Sequence, residues 1–173
     1  MLVRDEVSWD KTAEVVVIGY GMAGAVAAIT AQDQGANVLL LEKQPSDDHY
    51  TNSSLSGGLI VSPSDVEGVI RYMEALNWVN GDLCWTDRDI IRAFAEYSFQ
   101  NKDWMEKLGA ETTLVPNIGE HAELPGADSI RLYNCRGGGH RMMNLFYDKV
   151  RARGIEVMYS TAAGDLRTRR VQC

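Results

Sequence analysis

Residues 13–43 read AEVVVIGYGMAGAVAAITAQDQGANVLLLEK, and this stretch limits the possible folds of the chain more than any other. A β-branched run from Glu14 to Gly19 halts at glycine, as a buried parallel strand does. Met22 to about Gln34 is rich in helix-favouring Ala, Met and Ile, and Gly35 supplies a C-terminal stop. Asn37 to Leu41 then returns as a second apolar run. Strand, turn, helix and strand in this order make a βαβ unit, whose right-handed crossover sets the strands parallel with the turn at their carboxyl edge. The uncharged segment Val15–Ala31 is no membrane span. Such a span needs about 20 apolar residues, and this one is interrupted by Gly19, Gly21 and Gly24.

Those three glycines form G-x-G-x-x-G between the strand and the helix. Gly19 allows the tight turn, Gly21 leaves room for a pyrophosphate against the backbone, and Gly24 lets helix and strand pack closely. The helix N-terminus adds free N–H groups and a partial positive charge. Glu42 closes the second strand, where a carboxylate can accept both ribose hydroxyls and would repel a 2′-phosphate. A dinucleotide without that phosphate is the expected ligand, either FAD or NAD. The segment Gln44–Pro63 bears on the choice. It is rich in Ser, Asp, Thr, Asn and Gly, and longer than a simple connection in such a unit. Ser53, Ser54, Ser56, Gly57 and Gly58 offer the hydroxyls and bare backbone that the longer FAD needs. A plain surface loop would have the same composition.

Further on, Ser64 and Glu67 have capping-box spacing at a helix start. Thr86 to Leu108 reads as one helix ended by Gly109. Its apolar set of Ile90, Ile91, Phe94, Ala95, Phe99, Trp104, Met105 and Leu108 is expected to face a core. Glu111–Val115 suggests a strand, and Gly119–Gly126 a loop. The triple glycine Gly137–Gly139 precedes a helix from about His140 to Arg153, then a strand at Ile155–Tyr159 that can rejoin the first sheet.

The net charge of −7, from 24 acidic and 17 basic residues, argues against nucleic acid or an anionic membrane as the main partner. The basic groups Arg151 with Arg153, and Arg167 with Arg169 and Arg170, read as solvated surface. Cys84, Cys135 and Cys173 form no CxxC pair, and with the charged N-terminal segment they suggest a reducing, cytoplasmic location. His121 and His140 read as loop or helix-cap residues. No metal-ligand pattern stands out, and neither does a catalytic triad or a carboxylate pair.

Four segments in order, VVVIGYGMAGAVAAITAQDQGANVLLLEK, NSSLSGGLI, DRDIIRAFAEYSFQNKDWMEKLGAE and GGGHRMMNLFYDKVRARGIEVMYSTAAGDL, resemble the N-terminal part of the FAD-dependent fumarate reductase/succinate dehydrogenase flavoprotein family, including its 3-ketosteroid dehydrogenase branch. The resemblance runs from Glu14 to Leu166. It implies an α/β fold, a Rossmann-like FAD-binding domain with a parallel sheet and flanking helices, present only in part over residues 1–173. Gly19, Gly21, Met22, Ala23, Gly24 and Glu42 are implied to hold the ADP half of FAD, with Lys43 beside the adenosine. Ser53, Ser56, Gly57 and Gly58 would line the pyrophosphate and flavin, and the Ala163 backbone would face the adenine edge. Tyr50 and Thr51 depart from the family, which has a glycine pair there. The spacing from His49 to Gly57 resembles the branch that binds FAD without a covalent histidine link.

The family's reaction exchanges a hydride between flavin and a carbon next to a carbonyl or carboxylate. Its proton donors, cap domain and substrate pocket belong to later segments, so catalytic residues are not assigned here. The chain reads as the FAD-binding portion of an enzyme two to three times as long, inactive by itself, with a small-molecule substrate handled elsewhere. An NAD-linked module and a non-catalytic nucleotide-binding remnant are the other readings.

Overall fold

The computed structural model describes residues 9–79, 82–83, 86–116 and 121–166. Cys84, Cys173, Gly119, Arg167, Arg169 and Arg170 therefore lie outside the described residues. The chain divides into two compact units, Met1–Asn52 with Phe146–Cys173, and Ser53–Leu145.

The first unit contains β1 (Val15–Ile18), α1 (Met22–Asp33) and β2 (Val38–Leu41). All three stand where the apolar runs and Gly35 place them. β1 and β2 pair in parallel, with Val15 opposite Val38 and Ile18 opposite Leu41. β2 is the central strand, and Val38, Leu39 and Leu40 are buried. β1 differs from the expected buried strand, because Val16 and Ile18 are about half exposed, at 50% and 53%. It is an edge strand among the described residues, covered by β2 on one side only.

The second unit holds α2 (Asn52–Leu55, at the boundary), β3 (Leu59–Val61), α3 (Val66–Leu76), β4 (Trp78–Val79) and β5 (Asp82–Leu83). It continues with α4 (Arg88–Phe99), α5 (Asn101–Leu108), β6 (Thr112–Leu114) and β7 (Leu132–Cys135). β3, β7 and β6 form an antiparallel sheet in that order. The helical core is Val69, Ile70, Ile91 and Ala95, with Val66, Met73 and Ile130 packed against it.

Helix α6 (Gly138–Ala152) contains the boundary between the units, and β8 (Glu156–Met158) follows it. β8 rejoins the first sheet, pairing in parallel with β2 from Leu39–Glu156 to Leu41–Met158. In the first unit Arg153 grips Asp33 with Nε and Nη2, at 2.7 and 2.9 Å, and so ties the end of α6 to the end of α1. Arg153 was expected on solvated surface. It is instead a fastening between helices, because its planar fork matches the carboxylate. Arg151 does stay exposed, beside Asp148.

Several readings change in the second unit. The segment 44–63 is not one loop, since α2 and β3 lie inside it; Leu59, Ile60 and Val61 form a strand because β7 supplies a partner. Helix α3 is capped by Asp65, whose carboxylate accepts from Gly68 N at 2.8 Å. Ser64 donates to Ser129 O instead. The helix expected over 86–108 is two helices meeting at Gln100. Ser62 explains the break: its buried hydroxyl donates to Phe99 O at 3.0 Å and accepts from Lys102 N at 3.1 Å. Asn101 Nδ2 donates to Val61 O nearby. A side chain inserted into the helical ladder is a known cause of such a kink. The break also splits the expected apolar face. Ile91, Ala95, Met105 and Leu108 are buried, while Ile90, Phe94 and Phe99 remain exposed.

Candidate functional site

In the first unit the turn after β1 is shaped by its glycines. Gly19 has φ +95°, a left-handed conformation that side chains rarely adopt, and its N–H donates to Leu41 O at 2.7 Å. A Cβ on Gly24 would stand 1.9 Å from the Gly19 carbonyl oxygen, so no other residue fits there. Gly21 differs. It is the N-cap of α1 at φ −80°, a conformation open to any residue, and no side chain caps the helix. The fold itself thus requires Gly19 and Gly24, whereas Gly21 stands at a helix start that no side chain caps. Such a start suits an anion. Met22 and Ala23 form its first turn, and Ala23 is exposed.

Glu42 follows β2 and is only 5% exposed. Its Oε2 accepts from Tyr20 N at 2.7 Å, and its Oε1 from Gln44 N at 2.8 Å. Burial pushes the carboxyl up, but the N–H groups of Gln44 and Tyr20, the charge of His49 and the N–H of Lys43 together hold it below the ordinary carboxylate value. Glu42 is therefore an anion at neutral pH, and two carboxylate oxygens carry more acceptor sites than these bonds use. The Lys43 side chain is exposed. The segment after β8 crosses the same strand ends, with Ser160 N donating to Gln44 O and Thr161 N to Glu42 O. It carries exposed Ala163 two residues further along.

The sequence reading missed a ring cluster behind Glu42. Tyr20 stacks on His49 at 5.6 Å between centroids, with Tyr147 edge-on to Tyr20 at 4.9 Å and Tyr159 edge-on to His49 at 5.7 Å. These rings line a cavity of about 450 Å³ together with Ser46 and Arg151. Burial, then the neighbouring Tyr159 and Tyr147, push the Tyr20 phenol far up, so it is neutral across the physiological range. Tyr20 stands between two glycines and Tyr159 directly follows β8. Only their shared position at the carboxyl ends of the strands could have signalled the cluster.

Ser53, Ser56, Gly57 and Gly58 lie in the second unit. The Ser56 hydroxyl donates to Ser53 O at 2.7 Å, and Ser56 O accepts from Gly139 N at 3.0 Å. Gly58 has φ +72°, and a Cβ there would stand 2.6 Å from the backbone of Gly138. A Cβ on Gly139 would meet Ser53 O at 2.1 Å. The serine–glycine segment and the triple glycine thus fit against each other, backbone on backbone. Gly57 faces open space. His121 lies beside Glu123 and His140 beside Asn144, both exposed, and no group of metal-ligating side chains occurs among the described residues. Among those residues no helix is long and apolar enough to cross a membrane.

A structural neighbour, the 3-ketosteroid-Δ4-(5α)-dehydrogenase from Rhodococcus jostii RHA1, shares the fold with a TM-score of 0.72 at 23% identity, over 90% of this chain and 39% of that one. In sequence, the 3-oxo-5-alpha-steroid 4-dehydrogenase of Comamonas testosteroni is 36% identical over 138 residues, 75% of this chain. The fumarate reductase (cytochrome) of Shewanella frigidimarina is 30% identical over 159 residues, 87% of this chain. The matched part spans about a quarter of those relatives, 24% and 26% of their lengths. Residues 14–173 match the family described as FAD binding domain. The chain belongs to that family, and its cofactor is FAD.

Proposed function

We propose that this chain is the FAD-binding portion of an oxidoreductase acting on a carbon–carbon bond next to a carbonyl or carboxylate. The observation that carries the reading is Glu42, a buried anion with spare acceptor sites beside an uncapped helix start on a parallel sheet. Bound FAD supplies hydride exchange. Gly19, Gly21, Met22, Ala23 and Gly24 would hold the pyrophosphate on backbone N–H groups, and Glu42 would accept from the ribose hydroxyls. Lys43 and the Ala163 backbone are assigned to the adenine side. Ser53, Ser56, Gly57 and Gly58 are assigned to the pyrophosphate and flavin, with Gly57 the open backbone among them.

The similarity to a steroid dehydrogenase and a fumarate reductase supports an unsaturated or saturated carbonyl or carboxylate compound as substrate. Residues 1–173 form one partial domain in this reading, and the proton donor and substrate pocket belong to segments outside it. The cysteines form no CxxC pair and Cys135 is a buried free thiol, which supports a cytoplasmic location. Titrating the purified chain with FAD should yield bound flavin absorbing near roughly 370 and 450 nm. Tight NADH binding without flavin affinity would overturn the reading.

A further inference from the structure

The polar turn after β2 closes on itself. Gln44 clamps Tyr50 with both ends of its amide: Nε2 donates to Tyr50 O at 2.9 Å, and Oε1 accepts from Tyr50 N at 2.8 Å. The same Gln44 donates its backbone N–H to Glu42. The closed turn carries His49 inward. Its side chain is 6% exposed, flanked by Tyr20, Tyr147 and Tyr159, and its Nε2 lies 3.6 Å from Glu42 Oε2. That nitrogen is buried and makes no hydrogen bond among the described residues. Buried polar atoms are almost always satisfied, so one left facing a carboxylate calls for an explanation.

We propose that His49 is a positioning residue for Glu42. Its imidazole backs the carboxylate from the ring-lined cavity and fixes the orientation in which Glu42 meets the ribose of the nucleotide. Backbone N–H groups of Tyr20 and Gln44 hold Oε2 and Oε1, and His49 backs Oε2 from the cavity side and limits its displacement. His49 acts through Glu42 and needs no contact with FAD. The inference rests on the FAD reading above.

The test is a double-mutant cycle on the full chain, read as FAD affinity by flavin fluorescence, with ADP as a competing probe. His49→Phe keeps a ring beside Tyr20 but loses the nitrogen facing Glu42, and should weaken FAD and ADP roughly twofold to fivefold, the scale of a loose polar contact to a carboxylate. His49→Gln, which keeps an N–H donor, should recover most of that loss. In a Glu42→Gln background, His49→Phe should add little further loss. Equal losses with and without the Glu42 carboxylate would overturn the proposal. A second measurement is independent of how the His49 variants fold: the ¹⁵N resonance of His49 Nε2 should move on Glu42→Gln, and an unchanged resonance would also overturn it. A wild-type chain that binds neither FAD nor ADP would instead refute the underlying FAD reading, while the imidazole signal would still report on the pair.

Discussion

The two units differ in what holds their elements in place. In the first, β1, α1 and β2 follow one another directly, and each boundary is set by a residue at that boundary: Gly19 at the turn, Gly35 at the helix end, Glu42 at the strand end. In the second, boundaries are set from a distance. Ser62 divides α4 from α5 some 40 residues along the chain, and β3 becomes a strand because β7 lies beside it. Local chemistry sets the bounds of β1, α1 and β2, whereas β3 and the break between α4 and α5 depend on long-range partners.

Substituting Gly24 by Ala is the most severe way to break this contrast. The new Cβ would press on the Gly19 carbonyl at 1.9 Å, and the backbone cannot yield there. Overpacking of this kind costs about 1–3 kcal/mol, and a clash with rigid backbone puts Gly24→Ala at the upper end. Denaturant unfolding followed in the first unit should record a loss of that size, and FAD affinity should fall with it. Next comes Glu42→Ala. Loss of a charged acceptor contributes on the order of 1.5–3 kcal/mol, so FAD should bind roughly tenfold to a hundredfold more weakly by calorimetry. Acid acts on the same residue. Because the native carboxyl is held below its ordinary 4.5, its contribution is complete above that value and disappears as pH falls through the depressed native one. A pH series of unfolding midpoints, compared with Glu42→Gln, isolates this contribution.

Ser62→Ala tests the second unit and is expected to cost about 1–3 kcal/mol, since Lys102 N and Phe99 O lose a buried partner. Amide exchange should quicken around residues 99–102 and stay unchanged in β1 and β2. The smallest effect is expected from Asp65→Ala. Removing the cap of α3 costs about 1 kcal/mol, visible as a modest drop in melting temperature.

The same contrast explains what could be read in advance. The glycine turn, α1, β2 and the return of β8 were legible because each is marked by residues within a few positions of it. The cap at Asp65 was misread by one residue, since two adjacent side chains had suitable oxygens and only the fold decides which one Gly68 meets. The break at Gln100 had only a weak local mark in Asn101, because Gln suits a helix interior and the cause lies at Ser62. The ring cluster was illegible for a similar reason. Tyr20, His49, Tyr147 and Tyr159 come from four separate stretches, and no periodicity links them.

The fit of the serine–glycine segment against the triple glycine has a consequence for the order of assembly. β8 must find β2 across more than a hundred residues of sequence, as Leu41 pairs with Met158. Closing a flexible loop of that length costs about 2 kcal/mol more than closing one of roughly ten residues. Once the intervening unit has folded, however, Ser56 holds Gly139 and Gly58 abuts Gly138, so its two chain ends leave from neighbouring points. The parallel pairing then becomes a short-range event in space. A folded second unit would thus shorten the loop that β8 must close to reach β2. Gly139→Ala should accordingly slow formation of a sheet in which Gly139 takes no part.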